Sequence, residues 1–158
     1  MPVFERTVST STGPSRRGGL RTVARVDDFF HGFEVVLETR NADIARAEAT
    51  SHRHPWTTCP GSLASVGQLE GSVAAAPDTV HAMARQHTCV HVNDLVWLAS
   101  RQHVDRRYEI TVTPFEANLS RDGAPLVRWQ LHQWKVTGRS PYAGLGVGSA
   151  GWREATSG

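Results

Sequence analysis

Cysteine is scarce in this 158-residue chain, with only Cys59 and Cys89, thirty positions apart, which excludes a disulfide-stapled scaffold. In a reducing compartment two such thiols stay free, and two reduced thiols are the expectation. Long apolar runs are also missing. Nothing approaches the roughly 20 residues a membrane helix needs, and Met1-Pro2-Val3-Phe4-Glu5-Arg6 lacks the apolar centre of a signal peptide, so a cytoplasmic chain without a membrane partner is expected. Charge of one sign is lacking too. The formal net charge is +2, from 17 basic and 15 acidic residues, and the basic ones are spread from Arg6 to Arg153. No basic block marks a nucleic-acid partner.

What remains is the composition of a globular protein, 39% hydrophobic and 20% charged, long enough to bury one core. Residues 1–136 read as a single α+β domain and 137–158 as a Gly/Ser-rich C-terminal tail. The tail contains Gly144-Leu145-Gly146-Val147-Gly148. That echo of a phosphate loop follows no strand-to-helix unit, so no nucleotide cofactor is inferred.

Along the chain, Val3 to Val8 alternates, and Ser9 to Gly19 has the composition of a mobile connection. Leu20–Val26 and Phe29–Leu37 are rich in β-branched and aromatic residues, with Asp27-Asp28 as the turn between them and Arg40-Asn41-Ala42-Asp43 as the next turn. Ile44–Thr50 alternates again. These segments predict an antiparallel β-meander with one wet face. Asp28 and His31 flank its first turn and could serve as an acid and a base, although turn residues of this type are ordinarily solvated.

Three short helices are expected next. Pro60 opens one that carries Leu63, Val66 and Leu69 and ends at Gly71; Pro77-Asp78 opens another, with Val80, Met83 and Ala84 on one face. The third runs from about Thr88 to Gln102, with Val92, Leu95, Val96 and Ala99 at helical spacing. Beyond it Tyr108, Ile110 and Val112 alternate, as do Val127, Trp129 and Leu131, and Asp122-Gly123 lies between the two runs. A C-terminal β-hairpin is the expectation.

The chemistry-bearing residues fall in two places. In Ser51–Gly61, Pro55 forces His54 into an extended backbone, which projects His52 and His54 to one side; both imidazoles simply meeting water is the alternative. At the third helix start stand Cys89, His91 and Asp94. At about 100° per residue, Cys89 falls on the edge of the buried stripe and His91 on the opposite flank, so the two diverge if both are helical. Asp94, three residues on, can orient the His91 ring, or the pair can simply meet at the surface beneath a Thr88 cap.

The order of these motifs, a Gly-rich segment feeding a strand pair, then Cys59-Pro60, then Thr-Cys-x-His-x-x-Asp-Leu, then Arg-Asp-Gly-x-Pro-Leu before a Trp-bearing strand, resembles a bacterial family known only as a domain of unknown function, number 2889. The resemblance covers roughly residues 3–136 and is carried by Cys59-Pro60, Cys89, His91, Asp94 and Leu95. The family's helix start commonly reads Gly-Cys-Thr-His-Leu; here Thr88, Val90 and Val92 replace the glycine, threonine and leucine. The cysteine and histidine stay, and any hydroxyl role at position 90 is lost.

The expectation for function is a small enzyme that moves protons on a small aromatic or apolar molecule without a cofactor, of lyase or isomerase type. In it His91, oriented by Asp94, acts opposite His52 or His54, with Trp56 and Trp97 lining the substrate pocket. A second reading takes His52, His54 and Cys59 as zinc ligands. A third is a non-catalytic ligand-binding or assembly module, and a homo-oligomer is compatible with each.

Overall fold

A computed structural model describes residues 2–74, 89–133 and 135–137. They fall into two compact units, one built from Val8–Arg106, the other from the first seven residues together with the chain from Arg107 onward. Both are mostly antiparallel β-structure, and short helices accompany the first, so the α+β class holds in that coarse form.

The first unit carries strands β1 (Phe4–Pro14, which begins in the other unit), β2 (Leu20–Asp28), β3 (Gly32–Arg40) and β4 (Asp43–Arg53), in the spatial order β4-β3-β2-β1. The β2–β3 register runs from Leu20 opposite Thr39 to Asp27 opposite Gly32, which assigns every side chain to a face. On one face Arg25 meets Glu34 at 2.6 Å. On the other, Ala24, Val26, Phe33, Val35 and Leu37 are buried. Helix α1 (Val90–Arg101) packs on β2 and β3 and buries Val92, Leu95, Val96 and Ala99, the stripe its periodicity predicts.

The Arg40-to-Asp43 connection is a two-residue hairpin turn, with φ of 52° at Asn41 and 70° at Ala42. Two positive φ values match the right-handed strand twist. At the far end of the same hairpin Gly32 pairs with Arg53 and Phe33 with Ser51, which leaves His52 as the extra residue of a β-bulge. His52 therefore belongs to β4, not to a loop that begins at Ser51.

Three further expectations are corrected. Ser9 to Pro14 is strand, not a mobile connection: Thr10 is 3% exposed and its Oγ1 donates to the Val104 carbonyl at 3.1 Å, while the Thr12 hydroxyl meets that of Thr22 at 3.1 Å. Threonine is polar in composition but β-branched in shape, and its hydroxyl can be buried once partnered.

The helix expected from Pro60 is instead two 3-10 segments, Cys59–Ser62 and Ala64–Leu69. Gly61 and Gly67 weaken α-helix there, and the Ser62 and Ser65 hydroxyls donate to carbonyls three residues back, at 2.8 and 2.7 Å. Val66 and Leu69 are buried as their spacing predicts. The helix expected from Pro77, Met83 included, lies outside the described residues, as do Thr88, Trp134 and the tail beyond Thr137.

In the second unit, β5 (Arg106–Val112), β6 (Glu116–Arg121), β7 (Ala124–His132) and β8 (Lys135–Val136) follow β1 in the order β1-β5-β6-β7-β8. The Asp122-Gly123 turn, with φ of 51° and 81°, joins β6 to β7, so the expected hairpin is a larger antiparallel array with β6 at its centre. Val112, Ala117 and Leu131 form its core, with Phe4, Ile110 and Trp129 packed against them.

Candidate active site

The β2–β3 turn is built on Asp28. Its carboxylate is fully buried, and Oδ1 accepts the backbone N–H groups of Phe30 and His31, each at 2.8 Å, while the Asp28 N–H donates to the His31 carbonyl at 2.9 Å. An aspartate that closes a turn through its own side chain is common. Here the carboxylate also meets the His31 ring, with Nδ1 3.0 Å from Oδ1 and 3.2 Å from Oδ2. A carboxylate can only accept, so a neutral His31 donates from Nδ1 and keeps Nε2 as an acceptor. Arg53, placed opposite Gly32 by the bulge, donates to the Asp28 carbonyl and to Asp27 Oδ1 at 2.7 Å, which ties β4 to the same turn.

The start of α1 supplies the other half. Cys89 is the N-cap residue, with φ −60° and ψ 138°, and its carbonyl accepts the Asn93 N–H at 3.0 Å. Because an N-cap residue is extended rather than helical, the 100° rotation that would separate Cys89 from His91 does not operate. The divergence expected from helical angles is overturned: Cys89 Sγ lies 3.4 Å from His91 Nδ1, and the thiol is half-buried beside the imidazole rather than in the core.

The two halves meet through their rings. The His31 and His91 centroids are 4.0 Å apart with 34° between planes, and Phe33, fully buried, lies nearly parallel to His91 at 6.3 Å. The result is a chain of four groups, Cys89, His91, His31 and Asp28, drawn from one turn and one helix start. The His31 side chain keeps 16% of its exposure and His91 is half-buried, so both rings keep some contact with solvent. Beside them Phe29 and Phe30 are 82% and 53% exposed and pack edge-to-face at 5.0 Å.

The other candidates sit as follows. Asp94 is half-buried in α1. The His52 ring lies over Gly32, and His54 Nδ1 is 2.9 Å from the Ser51 hydroxyl. Cys59 opens the first 3-10 segment, half-buried. Trp56 is 71% exposed, whereas Trp97 is buried with the Arg101 guanidinium 5.4 Å from its ring. Among the described residues no group of three or more His, Cys, Asp or Glu side chains is arranged to hold a metal ion. Of Asp28 and His31, read from sequence as turn residues that would ordinarily be solvated, His31 proves to be the ring partner of His91 and Asp28 the carboxylate that holds His31. The available signal was the Asp-x-x-His spacing across a tight turn.

A thiol, two imidazoles and a buried carboxylate thus lie in a row of contacts, side chains whose chemistry includes proton transfer and nucleophilic attack. The chain belongs to the family described as protein of unknown function (DUF2889), which matches residues 14–104. The matched span holds all four site residues and stops before the Arg121-Asp122-Gly123 turn. No curated protein and no solved structure matches the chain.

Proposed function

We propose that this protein is a small enzyme of lyase or isomerase type that moves protons on a small aromatic or apolar molecule, using its own side chains and no cofactor. His91 and His31 form the acid–base pair, and Asp28 is the positioning residue that fixes the tautomer of His31. The observation that carries the reading is the 4.0 Å approach of the two rings, one of them held by a buried carboxylate. Two adjacent imidazoles can divide the work, one accepting a proton while the other donates. His31 takes the part first given to His52 or His54, because it is in ring contact with His91. The exposed Phe29 and Phe30 replace Trp56 and Trp97 as the apolar contact for substrate.

The test is proton exchange. Aryl ketones with acidic C–H bonds are incubated with the protein in D2O, and deuterium uptake is followed by NMR. His31→Gln and His91→Gln should each slow exchange by about a hundredfold, the lower range for a lost general acid or base. Equal exchange by the wild type and the double variant would overturn the proposal.

A further inference from the structure

The acid–base reading leaves Cys89 unused, although its sulfur lies 3.4 Å from a nitrogen of the proposed base. We infer that Cys89 is a covalent nucleophile of the same site and that the substrate class is an aryl-bearing α,β-unsaturated carbonyl compound. This rests on the preceding reading in one respect, that His91 acts as a base.

Two features of the cluster select conjugate addition over acyl transfer. A thiolate is a soft nucleophile suited to a polarised C=C bond. Acyl transfer through a cysteine needs one histidine to take the thiol proton and return it to the leaving group. Here a second imidazole, His31, is packed on the first and held by its own buried carboxylate. That leaves one ring for the thiol and one for the enolate.

The step balances without a co-reactant. His91 takes the Cys89 proton, and the sulfur lone pair forms a C–S bond to the β-carbon. The C=C π pair moves toward the carbonyl oxygen, where His31, in its protonated form, donates to the developing enolate. The former double bond is now single and rotates. Return of the proton to His31 and collapse of the enolate expel the thiolate, which recovers its proton from His91. The product is the geometric isomer of the substrate. Phe29 and Phe30, exposed beside His31, offer an edge-to-face seat for the aryl group.

Cys59, also half-buried, is the internal control. With N-ethylmaleimide as the probe, Cys89 in a Cys59→Ser protein should label at least about tenfold faster than Cys59 in a Cys89→Ser protein, by mass spectrometry, and His91→Gln should remove the difference. Should His91→Gln not fold, the pH profile of labelling carries the same test: a Cys89 profile distinct from that of Cys59 supports the inference, and identical profiles overturn it. With Z-benzylideneacetone, the wild type should catalyse conversion to the E isomer and Cys89→Ser should not. Equal labelling rates, or equal conversion by wild type and Cys89→Ser, overturn the inference. Proton exchange in D2O that survives in Cys89→Ser beside slow labelling would remove this inference alone. Fast, His91-dependent labelling with no proton exchange would remove C–H proton transfer as the task of the histidine pair and leave the nucleophile standing.

Discussion

Gly32 and His52 share one space: a Cβ built on Gly32 would overlap the His52 ring, so the imidazole covers the glycine where a side chain would stand. Gly32→Ala must therefore push the ring aside. Because the ring is the far end of a side chain that can rotate, the cost should be about 1 kcal/mol, the low end for overpacking. In a His52→Ala background the same substitution should cost less. Thermal midpoints of the four proteins in this cycle measure the coupling, and an unchanged cost would place the strain elsewhere.

Asp28 holds two backbone N–H groups and one imidazole. Asp28→Ala should cost about 1 to 3 kcal/mol in urea unfolding, since it leaves two partly buried N–H groups without their acceptor. Asp28→Asn keeps an acceptor for the turn and should cost less, while still slowing proton exchange. A variant that loses stability and keeps full exchange would assign the carboxylate to the turn alone.

Ala42 holds φ at 70°, a left-handed backbone that a Cβ disfavours. Ala42→Gly converts the turn to Asn-Gly, the preferred pair for this hairpin, and should stabilise by about 1 kcal/mol. A rise in the urea midpoint is the expected outcome.

Glu116 is held below the usual glutamate range first by its hydrogen bond from Arg128 and then by that from Asn118. A depressed folded value means that its contribution is present above the ordinary value of 4.5 and is lost as pH falls through the lower folded one. Arg128→Ala should therefore lower the melting temperature slightly at neutral pH, where the contribution is present, and leave it nearly unchanged in strong acid, where the contribution is already lost, so the curve falls less steeply through the acidic window. The pair is exposed, so the effect will be small.

Much of the fold could be read from the residues. Val92, Leu95, Val96 and Ala99 mark the buried face of α1, and Asn41-Ala42 and Asp122-Gly123 mark their turns. Two strands were hidden because their polar residues are partnered across the structure. Thr10 and Thr12 bond to residues distant in sequence, and in Glu116-Ala117-Asn118-Leu119 the alternation is short and its apolar members few. At the site His91 was legible by type and position, but its neighbours were not. Whether Cys89 is helical is decided by one ψ angle at the cap, and His31 reaches His91 only because α1 packs on β2 and β3.

The bulge at His52 also says where the length of this chain can change. Removing His52 would turn the bulge into a regular ladder and still leave Arg53 opposite Gly32, in reach of the Asp28 carbonyl it braces. Removing one residue from Arg46 to Ser51 would instead slip the pairing with β3 and turn inward faces outward. A relative one residue shorter in β4 is thus expected to carry its gap at one of the two bulged positions, 52 or 45, where Glu38 pairs with Arg46 and Thr39 with Ile44; either leaves Arg53 and the turn it steadies in place.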